Sequence, residues 1–406
     1  MSGSSPFDRI DEGRLRSGAG VKWGAVAPEV LPAWVADMDF GIPGAVREAL
    51  SRAVAREDLG YPFWPGGDPV VLSFERRMRR FGWTPEPGRT RVFTDLIQVL
   101  QVMIEHATEP GDGVAVHVPA YPPFLAAIER SGRRIIPIAA RLGARGWTFD
   151  DEGLPERLRR DSCRLLLLVN PHNPTGRVFD RHELTTLATI AADLDLVVLS
   201  DEIHADLTYG DREHIPFASV SPDAAARTIT ATSATKAFNI AGMRCAVAHI
   251  GPDEVRDRIE REPLDYFGQP SILSRVATCA AWDDSGPWLD GLRLRLAENR
   301  AIVADWVESR AGVAHVQPEA TYLAWLDFGA TAIGSDPAGI LHRRGGVLLS
   351  EGAEFSQHTI VDTRSFARLN FATSEQVLLR ALARVDAVLD GAPDGLLDGP
   401  GHAPRR

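Results

Sequence analysis

A lysine, two hydroxyl residues and an arginine are clustered in one short stretch of this chain. Lys236 lies one residue after Thr235 and three after Ser233, and Arg244 follows it by eight residues. A lysine amine can condense with an aldehyde, while hydroxyls and a guanidinium can hold a phosphate. Pyridoxal 5'-phosphate carries both groups, so the stretch predicts a site for this cofactor anchored at Lys236. The alternative is a solvated lysine in a polar loop.

Polar residues also follow two apolar runs that predict buried strands. Asn173 lies in the loop behind the run at 165–169, and Asp201 follows the run at 196–200. Ligands of open α/β sheets gather beyond the carboxyl ends of strands. Asn173 and His204 could therefore contact the phenolic oxygen of the cofactor. Asp201 could keep its pyridine nitrogen protonated, because an opposite charge stabilises the charged form; the alternatives are a backbone turn and a helix cap.

The bulk composition is that of an ordinary globular protein. Of its 406 residues, 44% are hydrophobic and 24% are charged. The net charge of -11 argues against nucleic acid as a partner. Cys163, Cys245 and Cys279 are far apart and lack metal-type neighbours, so we expect neither disulfides nor a metal site. Without a long apolar run or a signal-peptide core, the sequence predicts a cytoplasmic protein that does not bind membranes.

Apolar runs alternate with helical patterns between about residues 90 and 250. The runs are continuous, which is typical of strands that are covered on both faces in a mostly parallel sheet. Helical spacing predicts a helix from Leu96 to Ala107 and another behind the capping pair Asp180 and Glu183. The fold class is therefore α/β. We expect strands at 113–118, 134–138, 164–169, 196–200, 228–231 and 245–250.

The pattern changes after about residue 285 to that of a smaller α+β domain. We expect helices at 288–308 and 376–389 and strands at 322–327 and 366–371. The expected organisation is an N-terminal segment 1–50 that joins the small domain, a large cofactor-binding domain 51–285, a small domain 286–389 and a tail 390–406. Glycine, proline and aspartate dominate the tail, which predicts disorder.

These residues together resemble the class I/II, fold-type I superfamily of pyridoxal-phosphate-dependent aminotransferases. Three segments, Trp34–Phe40, Ser200–Leu207 and Thr321–Asp327, are similar to the MalY/PatB branch of cystathionine β-lyases, or C–S β-lyases. The likeness extends from about Phe7 to Leu389. It implies a large domain with a seven-stranded, mostly parallel sheet covered by helices, and a smaller α+β domain.

The resemblance implies a role for each site residue. Lys236 would anchor the cofactor and carry the proton, Asp201 would pair with the pyridine nitrogen, and Tyr121 would stack on the ring. Arg368 would clamp the substrate carboxylate, because a guanidinium binds a carboxylate through two bonds, and Asn173 would contact both ligands. Further cofactor contacts are implied for His204, Ser233, Thr235, Arg244, Leu96 and Ile97, and a substrate contact for Ala36.

Tyr61 resembles the tyrosine that this superfamily reaches across from a neighbouring subunit to the phosphate. The resemblance thus implies a homodimer with shared active sites, in which Tyr61 contributes to catalysis. The alternative is a loop aromatic that packs locally. Two positions depart from the family pattern. Asp95 precedes Leu96 where relatives usually carry a glycine, and Gly24 follows Lys-Trp where they carry an aspartate.

The resemblance favours α,β-elimination from cystathionine or another cysteine S-conjugate, which gives a thiol, pyruvate and ammonia. Lys236 would remove the Cα proton. The same residues also suit transamination, so an aminotransferase, possible in secondary metabolism, is the first alternative. Oxygen-coupled or decarboxylating chemistry on a cysteine conjugate is the second, and a regulatory protein that retains the cofactor is the third.

Overall fold

The computed structural model describes residues 5–143, 146–263 and 265–391. Its strands are β1 Leu31–Pro32, β2 Thr90–Phe93, β3 Gly113–Val118, β4 Arg134–Gly143, β5 Gly146–Phe149, β6 Cys163–Val169, β7 Val197–Asp201, β8 Thr228–Thr232, β9 Ala246–Ile250, β10 Ala314–His315, β11 Leu323–Asp327, β12 Val347–Leu348, β13 Ser350–Glu351 and β14 Phe366–Asn370. Its helices are α1 Glu12–Ser17, α2 Val21–Gly24, α3 Gly44–Ala55, α4 Pro69–Arg80, α5 Leu96–Ala107, α6 Pro122–Arg130, α7 Leu154–Arg160, α8 Arg181–Asp193, α9 Pro222–Arg227, α10 Asp253–Glu260, α11 Ile272–Asp284, α12 Gly286–Glu308, α13 Pro337–Ile340 and α14 Glu375–Leu389.

A large mixed sheet forms the centre of the fold. Its spatial order is β2-β9-β8-β7-β6-β3-β4-β5. Neighbours from β8 to β4 are parallel, whereas β9 and β5 run antiparallel to the strands beside them. The predicted α/β class and the mostly parallel sheet are confirmed. The sheet has one strand more than expected, because β4 extends to Gly143 and pairs with β5 as a hairpin.

Both faces of this sheet are covered, as the continuous apolar runs predict. Leu165 and Leu167 pack into one hydrophobic cluster, whereas Leu166 and Leu168 pack into another on the opposite face. Successive side chains of a strand alternate between the two faces of a sheet, so a strand with helices on both sides must be apolar throughout. The capping box of α8 also forms, with Asp180 and Glu183 bonded to each other's backbone N–H groups.

An antiparallel sheet, β10-β11-β14-β13, follows the long helix α12. The N-terminal segment adjoins this region, since β1 pairs with β12. These contacts support, as a proposal, a small domain 286–389 completed by the N-terminal segment, beside the large domain 51–285. The proposed boundary at residue 50 falls inside α3, which packs against α11 of the large domain. A boundary before Gly44 would keep α3 whole and assign it to the large domain. Most of the tail, 392–406, lies outside the described residues.

Loops at the carboxyl ends of the parallel strands carry the predicted polar residues. Asp201 is the last residue of β7, and Asn173 lies four residues after β6 ends. Lys236 lies four residues after β8 ends. Among the described residues, no helix combines the length and the apolar composition that a membrane crossing requires.

Candidate active site

One cavity of about 590 Å³ brings most of the predicted site residues together. It lies at the carboxyl ends of the central strands, where the strand order predicts a ligand site. The predicted residues that line it are Leu96, Ile97, Tyr121, Asn173, Asp201, His204, Ser233, Thr235, Lys236 and Arg244. Arg368 and Ala36 contact members of this set. Tyr61 does not.

Lys236 is a half-buried lysine that lines the cavity. Its Nζ donates a hydrogen bond of 2.7 Å to the carbonyl oxygen of Ala36. Burial lowers the pKa of Lys236 to about 8, and the nearby Arg368 guanidinium lowers it further, against the carboxylates of Asp37 and Asp201. A fraction of this lysine is therefore an uncharged nucleophile near neutral pH, which an ordinary surface lysine is not.

Asp201 is a buried carboxylate with an unusually high proton affinity. One oxygen accepts a 3.0 Å bond from the backbone N–H of Ile203. Burial raises the pKa of Asp201 to about 7, and the neighbouring Glu202 adds to the rise. No ion pair with Asp201 forms within residues 5–143, 146–263 and 265–391. A buried carboxylate without a cation in contact is complementary to a protonated ring nitrogen.

His204 lines the same cavity and has one polar atom without a hydrogen-bond partner among the described residues. Its side chain is buried, and its Nδ1 has no hydrogen-bond partner among the described residues. Burial lowers the pKa of His204 to about 3, so the imidazole is neutral at physiological pH. A neutral ring can either accept a bond or donate one to an oxygen of a bound ligand. A neutral imidazole in the cavity lining is a second feature that fits an aromatic cofactor with polar substituents.

Arg368 is a buried guanidinium that already touches Asn173. Its Nη1 donates to Asn173 Oδ1 at 3.0 Å, and its Nη2 donates to Ser350 Oγ and to the carbonyl oxygen of Trp34, each at 3.1 Å. The guanidinium lies over the ring of Phe355 at 4.9 Å from its centroid. Burial lowers the pKa of Arg368 to about 10. No carboxylate of the described residues pairs with it, so an anionic ligand would find an uncompensated charge.

Besides the Arg244 guanidinium, backbone amides and a hydroxyl group are donors at the phosphate end of the cavity. Helix α5 begins at Leu96, and the first amides of a helix have no partner within it, so those of Leu96 and Ile97 can point at an anion. Ser233 Oγ donates to the carbonyl oxygen of Cys245 at 2.6 Å and accepts from Thr235, whose hydroxyl lies 2.8 Å away. The Ser233 proton is therefore bound to Cys245 and the Thr235 proton to Ser233, so Thr235 can donate to a ligand only when its hydroxyl turns away from Ser233.

Asp95 has two contacts at this end of the cavity. Its Oδ1 accepts a 2.9 Å bond from the backbone N–H of Gln98, which caps helix α5. Its Oδ2 forms an ion pair with Arg244, the guanidinium predicted to hold phosphate. The Asp95 carboxylate thus caps helix α5. It does not face away from the site, because its other oxygen is paired with Arg244.

Tyr61 lies outside the cavity of its own chain. Its side chain is 100% exposed and borders a separate surface groove with Leu59, Gln269 and Ile272. The structure of one chain therefore does not bring it to Lys236. Full exposure of a large aromatic ring is unusual for a residue that packs locally, which argues against that alternative. The contribution of Tyr61 to a second subunit's site stays a prediction.

The segment from Trp34 to Phe40, which we call the strap, is held over Lys236 by residues that the sequence did not single out. Asn239 accepts from Met38 N–H at 3.2 Å and donates to the Phe40 carbonyl oxygen at 2.6 Å. Asn370 and Tyr322 donate to other carbonyl oxygens of the strap, and Lys22 pairs with Asp39 at 2.9 Å. The Lys22–Asp39 pair forms without an acidic residue at position 24.

Some of these supporting residues lie in segments that the sequence analysis singles out. Asn239 lies three residues after Lys236, inside the motif that was interpreted for its charged and hydroxyl groups. Tyr322 lies in Thr321–Asp327, one of the segments that resemble the MalY/PatB branch. Ser350 and Asn370 come from distant parts of the chain, and nothing in their local sequence links them to the cavity. Their roles depend on long-range contacts, which no local pattern predicts.

Comparison with known proteins agrees with this geometry. The sequence model of the family described as aminotransferase class I and II matches residues 87–385. The chain is 36% identical to a cystathionine β-lyase of Corynebacterium glutamicum over 94% of this chain and 100% of that protein. It is 34% identical to the cystathionine β-lyase PatB of Bacillus subtilis over 94% and 99% of the two chains. The chain therefore belongs to the class I and II aminotransferase family, and its predicted MalY/PatB branch is confirmed.

A solved structure gives the same result. The fold matches that of a pyridoxal-phosphate-bound C–S lyase from Staphylococcus hominis with a TM-score of 0.87 and 28% identity, over 95% of this chain and 99% of the other. Such a value over nearly the whole length means that the two chains share both the large sheet and the smaller region. The predicted fold-type I architecture is confirmed.

Proposed function

We propose that this protein is a pyridoxal-phosphate-dependent C–S β-lyase of the cysteine-S-conjugate type. One observation carries the proposal. The half-buried amine of Lys236, the buried carboxylate of Asp201 and the hydrogen-bonded pair Arg368–Asn173 adjoin one cavity. An amine, an acid and a carboxylate clamp are what this cofactor and an amino-acid substrate require. Relatives named cystathionine β-lyase support the choice of reaction.

The residues present fit the cofactor. Lys236 would hold its aldehyde carbon, Asp201 its ring nitrogen, and Asn173 and His204 its phenolic oxygen. Tyr121, which also lines the cavity, would stack on the ring. Leu96, Ile97, Thr235 and Arg244 adjoin the space for its phosphate, with Ser233 bracing Thr235. When bound, the cofactor supplies an electron sink for the pair released at the substrate Cα.

Proton transfer at Cα falls to Lys236. Its lowered pKa, about 8, leaves it able to accept a proton near neutral pH and to return it later. The Ala36 carbonyl oxygen, which accepts from both Lys236 and Tyr322, holds the amine on one side of the cavity. Asp201 keeps a proton on the ring nitrogen because a cation opposite it would relieve the cost of its buried charge.

Substrate orientation falls to Arg368. Its two Nη atoms already hold the Asn173 amide oxygen, Ser350 and the strap, so the guanidinium plane is fixed before the ligand arrives. A carboxylate that binds there places the Cα–H bond in a constant position relative to Lys236. Loss of the Cα proton then expels the thiolate from Cβ, and water completes the reaction to pyruvate and ammonia.

We further propose a homodimer with shared active sites. The exposed Tyr61 ring and its exposed neighbours Leu59 and Phe63 form an apolar patch that a second copy could cover. Tyr61 would then reach the phosphate of the partner's cofactor and take part in catalysis there. The free cysteines Cys163, Cys245 and Cys279 fit a reducing compartment, so we propose the cytoplasm as its location.

The proposal is tested by incubating the purified, cofactor-loaded protein with cystathionine, cystine and an S-alkylcysteine. We expect thiol, pyruvate and ammonia in equal amounts from at least one of them. Alanine and glutamate, which carry no leaving group at Cβ, serve as matched controls and should yield no keto acid. A keto acid formed from alanine or glutamate, with no thiol released from the sulfur compounds, would contradict the lyase proposal and indicate an aminotransferase.

A further inference from the structure

A carboxylate stands where the proposed site needs positive charge. Asp95 lines the same cavity as Thr235, Lys236 and Arg244. It directly precedes Leu96, whose amide is one of the donors available to an anion. Since a cofactor phosphate carries a charge between -1 and -2 near neutral pH, a fixed negative charge at this position opposes it.

The contacts of Asp95 hold its charge in place. Oδ1 accepts from the backbone N–H of Gln98, and Oδ2 accepts from the Thr94 hydroxyl at 3.2 Å. The same Oδ2 forms the ion pair with Arg244. The Gln98 amide and the Arg244 guanidinium, on two separate segments, therefore hold the carboxylate, and it cannot leave the cavity without breaking the helix cap.

Arg244 already has an anionic partner before any phosphate arrives, although its side chain is 67% exposed. Its backbone lies in the left-handed region, with φ 44°, directly after the turn Ala241–Met243. A phosphate that binds near Arg244 must either displace Asp95 from the guanidinium or share it. Both outcomes leave a carboxylate close to a second anion.

We propose that Asp95 is a resident counter-ion of Arg244 that weakens the hold of the site on a phosphate group. This inference rests on the proposed function, because it assumes that the cofactor phosphate occupies this end of the cavity. Asp95 is then a positioning residue that sets cofactor affinity through Arg244. The protein would exchange its cofactor more readily than a site whose arginine has no resident partner.

The test uses Asp95→Asn, which removes the charge and keeps the cap, because asparagine caps helices as well as aspartate does. The matched control is Asp180→Asn, the same change at the cap of α8, away from the cavity. Cofactor-free protein is titrated with pyridoxal 5'-phosphate and with pyridoxal, which lacks the phosphate. Ligand absorbance reports binding, and thermal unfolding verifies the fold of each variant.

We expect Asp95→Asn to bind the phosphorylated ligand about tenfold more tightly than wild type does. The difference should shrink in 1 M salt, where exposed charges are screened, and pyridoxal should bind both proteins equally. Equal affinities for the phosphorylated ligand, or a gain that pyridoxal shares, would overturn the inference and leave the proposed function intact. Failure of the wild type to bind either ligand would overturn both.

Discussion

Lys236 and Ala36 are in direct contact, with 2.7 Å between the lysine Nζ and the alanine carbonyl oxygen. The contact joins residues 200 positions apart in the chain. It matters because Ala36 belongs to the strap, whose other carbonyl oxygens are bonded to Asn239 and Asn370. The reactive amine is thus held by a segment that is itself fixed at several points.

The pKa of Lys236, lowered to about 8 by burial, sets the pH dependence of cofactor uptake. Only the uncharged amine attacks an aldehyde. Uptake by cofactor-free protein should therefore rise about tenfold per unit at pH values below 8 and level off above it. Stopped-flow absorbance measures the rate. N-acetyl-lysine, with a pKa near 10.4, serves as control and should show no plateau at pH 8; a protein profile that follows this control would contradict the lowered pKa.

Asp201→Asn should abolish most of the activity without loss of the fold. The amide has nearly the same shape but no negative charge, so the ring nitrogen would no longer be held protonated. We expect kcat to fall by about 10²–10³, the range found when one charge-stabilising group is removed from an active site. Steady-state thiol release measures it. An unchanged kcat would remove Asp201 from the chemistry.

The same variant has a thermodynamic signature in the cofactor-free protein. The folded-state pKa of Asp201 is raised from 3.8 to about 7, so its contribution to stability is present below pH 3.8 and is lost as the pH rises through 7. The gain in free energy of unfolding from Asp201→Asn should therefore grow by about 2–3 kcal/mol between pH 5 and pH 8. Urea unfolding at both values measures it, and the exposed Asp223→Asn should show no such gain.

Arg368→Lys should impair substrate binding more than turnover. A lysine keeps the charge but cannot bind a carboxylate through two parallel bonds or maintain all three contacts of Arg368. Loss of one charge-assisted bond predicts an increase in KM of ~10- to 100-fold. The exposed Arg364→Lys, on the same segment of chain, is the matched control. A normal KM in Arg368→Lys would exclude it as the carboxylate clamp.

The sequence predicted the architecture well because buried strands carry a strong local signal. Each of the six apolar runs between residues 113 and 250 became a strand of the large sheet. Five of these strands begin and end within one residue of the expected positions, whereas the expected strand 134–138 extends to Gly143. The hairpin strand β5 escaped, since Gly146–Phe149 is short and only partly buried. Its formation depends on pairing with β4 rather than on its own composition.

The site was predictable to the extent that its residues share motifs. Lys236, Asp201 and Asn173 each stand beside a strand end and meet in one cavity. The sequence did not indicate that the Ser233 proton is committed to Cys245, or that Asp95 pairs with Arg244. Both contacts depend on which donor meets which acceptor after folding, and residue types alone do not predict that pairing.

The shared-site proposal predicts complementation between two inactive variants. Tyr61→Ala should be inactive because the cofactor phosphate in the partner subunit's site loses a contact. Lys236→Ala should be inactive because the cofactor has no lysine to attach to in its own subunit. In a mixed dimer, one site contains both intact residues. Mixing and refolding equal amounts should therefore restore about a quarter of wild-type activity. No recovery, with mixed dimers verified by mass spectrometry, would place Tyr61 in the site of its own subunit or outside any site.

The most direct test of the central claim is to find where the cofactor attaches. Protein loaded with pyridoxal 5'-phosphate is reduced with borohydride, digested and analysed by peptide mass spectrometry. Lys22, which is buried, serves as an internal reference because it is the only other lysine in the sequence. We predict one modified residue per chain, Lys236, and no modification of Lys22. Stoichiometric attachment at another lysine, or none at all, would contradict the account of this site.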